Sequence, residues 1–98
     1  MSDSVLSSIV LSVNRALLGE VFPELVSVSC LIVHEKKFEL IFHVDSVLPD
    51  AKVEDISCIE TEVIADVPGD VEISHRIVVS HRADLPPGGF WIFLKKSV

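Results

Sequence analysis

Four histidines, two cysteines and fifteen acidic residues are the side chains suited to chemistry in this 98-residue chain. His34, His43, His75 and His81 match no zinc-ligand spacing, and there is no H-E-x-x-H. No metal or cofactor is therefore expected. His75 falls on the inward side of an expected strand and reads as a core histidine with a polar partner. His34 and His81 flank turns. Cys30 and Cys58 have no C-x-x-C spacing and read as two free buried thiols. A cysteine nucleophile needs partial exposure beside a base. Cys30 is expected to point inward, and Cys58 lies toward the polar side of its helix. G-x-S-x-G, P-loop and G-x-G-x-x-G patterns are absent. Carboxylate or Cys58 chemistry would need a cleft, and a chain of this length shows no sign of one. It is not expected to be an enzyme.

The carboxylates are informative through their placement. The net charge is −7, yet Asp45 to Glu72 alone holds nine acids and one base, Lys52. The remainder is almost neutral. Such a segment repels nucleic acid and attracts a basic surface. Glu54, Asp55, Glu62 and Asp66 lie off the apolar stripe of an expected helix, with Asp50 as its cap. They read either as a solvated face or as an electrostatic docking surface. Glu60 falls inside the apolar stripe. A buried carboxylate needs a partner, and Arg15 or a backbone N–H is the candidate. Replacing Glu60 by Ala is then expected to unfold the chain.

The elements that carry these groups follow from periodicity. Val5, Leu6, Ile9, Val10, Val13, Ala16 and Leu17 share one helical face. Asp3 or Ser4 can cap that helix, and Gly19 is expected to end it. Leu11 and Leu18 point the other way and are candidates for a second contact. Pro23 blocks continuation. Leu25 to His34 and Phe38 to Val44 read as a hairpin around Glu35-Lys36-Lys37. Phe38, Leu40, Phe42 and Val44 alternate onto one face, beside Val26, Val28, Cys30 and Ile32. Ala51 to Ala65 reads as a second helix with Val53, Ile56, Ile59, Val63 and Ile64 inward. Val71 to His81 and Phe90 to Lys95 are two further strands, separated by a loop holding Pro86-Pro87-Gly88-Gly89.

The expected fold is α+β, a two-layer sandwich in αββαββ order over a single domain, residues 1–98. Two helices cover one face of a four-stranded, mainly antiparallel sheet. A meander and a ferredoxin-like strand order are both open. No segment reaches the ~20 apolar residues of a membrane span, and the N-terminus does not read as a signal peptide, so a cytoplasmic location is expected. Leu31, Val33, Ile41, Val78, Trp91 and Phe93 fall on the outer sheet face. That is a large apolar set for a face open to water. Either one strand has the opposite parity, or this face meets another chain, with Trp91 as a natural anchor.

Ala16-Leu17-Leu18-Gly19-Glu20, the hairpin after it, and Ser57-Cys58-Ile59-Glu60-Thr61-Glu62-Val63-Ile64-Ala65-Asp66 resemble a family of small bacterial α/β proteins. Some of that family look like immunity proteins of contact-dependent growth-inhibition or polymorphic toxin systems. The resemblance covers roughly residues 9–80. It departs at Val67, where relatives tend to carry an aromatic, and at the Pro-Pro-Gly-Gly loop. It implies an antitoxin that binds a cognate toxin domain and covers its active site, and the acidic charge independently points to a basic, nuclease-type toxin. Glu54, Asp55, Glu62 and Asp66 would steer the partner, and Trp91 would anchor it. The alternative is a homodimeric structural or adaptor module joined through the outer sheet face.

Overall fold

The computed structural model describes residues 3–20, 22–80 and 85–94, with the side chains of residues 5–18, 22–80 and 85–94. The spacing of Ile9, Val13, Ala16 and Leu17 gives the first helix, α1 (Asp3–Glu20), its buried face. Gly19 does not end α1. The helix runs through it to Glu20, since one glycine in a helix costs only about 1 kcal/mol. The capping expected of the Asp3 and Ser4 side chains lies outside the described residues, as do His81 and Lys95.

Strands β1 (Leu25–His34) and β2 (Lys37–Val44) form the expected antiparallel hairpin, closed by a turn at Glu35-Lys36. Val28 lies opposite Phe42 and Cys30 opposite Leu40, so these four share the core face. The register shifts at Val26 and again at Val33. Each extra residue reverses the alternation. Leu25, opposite Val44, is thereby buried in place of Val26, which is half-buried.

The second helix, α2 (Asp50–Asp66), begins one residue earlier than periodicity suggested. Its cap is Pro49, not Asp50. Pro49 has φ −66° and its carbonyl accepts from the Lys52 and Val53 N–H groups at 2.9 and 3.2 Å. Asp50 instead occupies the first turn, where its charge meets the positive end of the helix dipole. Ile56, Ile59 and Val63 are the buried stripe of α2. Val53 and Ile64, expected inward, sit at its exposed margin.

The chain then returns as β3 (Glu72–Val79), which pairs with β2 in parallel. A helical crossover makes that direction possible. Strand β4 (Gly89–Leu94) pairs antiparallel with β1 at the far side. The sheet order is β3-β2-β1-β4, mixed but mostly antiparallel. It is neither of the two orders that the sequence left open. The two later strands flank the hairpin instead of following or interleaving with it.

This topology changes the outer face. Ser80 is held at the Val44 end of the sheet, and Gly89 lies opposite Leu31 at the other end of β1. Leu85 and Pro86 border an open hollow together with Ile41, His43, Arg76 and Val78. Ile41 is 1% exposed although it stands outside the core cluster of the helix side. On β4 the register shifts between Trp91 and Phe93. Phe90 and Phe93 both pack on the core side, while Trp91 and Leu94 lie opposite Ser29 and Ser27 on the outer side. The outward placement of Phe93 is thus corrected by a bulge, and Ile41, although outward, is buried.

The Pro86-Pro87-Gly88-Gly89 segment is a hydrogen-bonded turn, with the Gly89 N–H donating to the Pro86 carbonyl at 3.0 Å. Gly88 has φ +82°, which matches the third position of a type II turn after a proline. A Cβ there would meet only ordinary contacts, the nearest at 3.8 Å, so the cost of a side chain is conformational. Gly88→Ala is expected to lower stability by about 1 kcal/mol, read as a shift of the urea midpoint with unchanged slope.

Candidate protein-binding surface

Helix α2 needs only a narrow stripe to hold it to the sheet, so most of its circumference is open to other uses. Residues Asp50, Glu54, Asp55, Glu60, Glu62 and Asp66 give it six acids against one base, Lys52. That base is already engaged: Lys52 Nζ donates to Glu24 at 2.6 Å and lies 5.5 Å from the Phe22 ring centre. Glu54, Asp55 and Glu62 form no ion pair or hydrogen bond with another described side chain. Glu54 and Glu62 are exposed and Asp55 is half-buried.

Asp66 is the exception among the four. It accepts a hydrogen bond from Ser12 Oγ at 2.7 Å and faces Arg15 Nη1 at 3.5 Å. Arg15 is largely exposed, so this pair contributes less than about 1 kcal/mol and only partly offsets the charge. The last turn of α2 contains no base. Carboxylates at that end face the negative pole of the helix dipole, a cost of up to about 1 kcal/mol each. Helix stability therefore does not explain why Glu62 and Asp66 are acidic.

Glu60 has a partner that sequence reasoning missed. Its carboxylate meets His75 Nδ1 on β3, across the edge of the helix layer. Arg15, the partner anticipated for it, goes to Asp66 instead. His75 also stands edge-on to Phe42, with ring centres 6.3 Å apart at 84°. The signal available in the sequence was that Glu60 and His75 both occupy inward positions; the parallel pairing of β3 with β2 makes them neighbours. His43, on the outer face, is buried beside Ser27 Oγ at 3.3 Å.

Two exposed pairs tie other elements together. Arg76 and Glu39 meet at 3.3 Å across β2 and β3. Lys36 and Asp70 meet at 2.5 Å, and their hydrogen bond holds Lys36 above and Asp70 below the usual range. Among the described residues no cluster of His, Cys, Asp and Glu is arranged to hold a metal. No described helix is long and apolar enough to cross a membrane.

The four acids and Trp91 do not form one site. Glu54, Asp55, Glu62 and Asp66 belong to the helix layer, whereas Trp91, 36% exposed, faces outward from the opposite side of the sheet. A single flat partner surface reaches one set or the other. The helix layer has its own apolar groups at Leu11 and Leu18 of α1, both well exposed.

These features define a small α+β domain, acidic along one helix. Residues 6–97 match the MafI2 immunity protein family, which is nearly the whole chain. The chain belongs to that family. The match runs wider than the roughly 9–80 of the sequence resemblance and includes the Pro-Pro-Gly-Gly turn. Membership implies a cognate toxin as partner. No curated protein matches the chain significantly.

Two measurements test this geometry. Glu60→Ala is expected to cost about 1–2 kcal/mol, because both partners keep about a quarter of their surface exposed. That is a smaller effect than the unfolding that the sequence suggested. A double-mutant cycle with His75→Ala should give a coupling above about 0.5 kcal/mol; additive losses would mean that the contact contributes nothing. Burial pushes the Cys30 thiol up to about 12, while Cys58 is exposed. A native-state thiol titration should therefore label one cysteine quickly and the second only after unfolding, with Cys58→Ser removing the fast phase.

Proposed function

We propose that this protein neutralises a toxin domain of basic, nuclease type by binding over its active site. It acts in the cytoplasm, as a binding partner and not as a catalyst. Membership of an immunity family supports a toxin as partner. The observation that carries the basic character of that toxin is the solvent side of α2, where Glu54, Asp55 and Glu62 have no cation against them among the described residues. Enzymes that cut nucleic acids need cationic surfaces to hold phosphates, and an acidic cover competes for the same charges. At physiological salt the field of these acids extends ~8 Å, so it acts mainly on approach and orientation.

A homodimer through the outer sheet face is the second reading. Trp91 and Leu94 favour it as exposed apolar groups on β4. It is weakened by Phe93 packing against the core and by the burial of Ile41.

Co-expression with the cognate toxin domain is the direct test. Expressed alone the toxin domain should arrest growth, and co-expression of this chain should restore it. The purified pair should associate at least about tenfold more slowly in 500 mM than in 50 mM salt. Failure to restore growth, or association indifferent to salt, argues against the proposal. Light scattering that gives a dimer mass for the isolated chain would favour the second reading.

A further inference from the structure

We infer that the toxin is held on the helix layer, by Leu11 and Leu18 of α1 with the neighbouring acidic flank of α2, and not on the side of Trp91. This rests on the toxin-binding reading above and adds the location and the division of labour. Leu11 is 63% exposed and Leu18 is 87% exposed. Seven residues apart, they fall on one line along α1, about 10 Å from each other. Their neighbours on that side are polar: Ser7, Asn14 and Arg15. A single exposed leucine is ordinary. Two in register, next to uncompensated charge, make a composite surface.

The juxtaposition follows from how the helices run. Lys52, at the start of α2, reaches Glu24 just beyond α1, and Asp66, at the end of α2, reaches Ser12 in the middle of α1. The two helices are therefore antiparallel. Asp55, Glu62 and Asp66, at positions i, i+7 and i+11, lie along one flank of α2. The contacts of Asp66 with Ser12 and Arg15 show that this flank is the one turned to α1. The acidic row and the leucine row thus run side by side over the same layer.

The occupant that fits is a protein surface with an apolar centre and a cationic rim. Nucleic acid and anionic lipid are both repelled by the flank. In such an interface, desolvated apolar anchors govern dissociation and rim charges govern association.

Binding kinetics against the cognate toxin domain separate these roles. Leu11→Ser/Leu18→Ser should raise the dissociation rate at least about tenfold and change the association rate by less than about twofold. Asp55→Asn/Glu62→Gln should slow association and flatten its salt dependence. Trp91→Ala should bind as the parent does. Hydrogen exchange in the complex should protect α1 and α2, a readout that holds even if a variant folds poorly. Parent-like binding by the leucine variant, or protection confined to β4, overturns the location while leaving the toxin reading intact. A parent protein that does not bind the toxin domain overturns both.

Discussion

The apolar face of the β1–β2 hairpin is the constraint on which the rest depends. Val28, Cys30, Phe38, Leu40, Phe42 and Val44 form a continuous buried surface that cannot face water. Burying a large apolar side chain of this kind stabilises by about 1.5–3 kcal/mol. The two helices exist to cover that face, and each needs only one stripe to do it. Ile9, Val13, Ala16 and Leu17 serve for α1, and Ile56, Ile59 and Val63 for α2. The remaining helix positions are released from packing. Their composition can then respond to a partner.

That release explains why the acidic charge is gathered without damaging the fold. Glu54 and Glu62 on α2 touch nothing that holds the sheet. Two carboxylates of α2 meet groups on other elements: His75 for Glu60, and Ser12 with Arg15 for Asp66. The polar groups at the edges of the helix layer thus divide into those that fasten elements together and those that stay free.

The outer face shows the complementary behaviour. β4 joins the sheet on the side opposite β3, so the chain between them has to pass from one edge to the other. Leu85 and Pro86 border the same hollow as Ile41. A bulge in β4 turns Phe93 inward. A face that reads as broadly apolar from alternation alone is consequently narrowed to groups such as Trp91 and Leu94 near one edge.

Element order, the two buried helix stripes, the core side of the hairpin and the acidity of α2 were determined by the sequence, because each depends on spacing within one short segment. The bulges at Val26, Val33 and β4 were not legible, since an extra residue changes which side chains face inward without changing composition. The parallel pairing of β3 with β2, and with it the Glu60–His75 contact, was decided only by tertiary structure. So was the separation of Trp91 from the acids by the thickness of the sheet. Local periodicity tells a side chain which way to point relative to its own element. Which element it then meets depends on how strands from distant parts of the chain share hydrogen bonds.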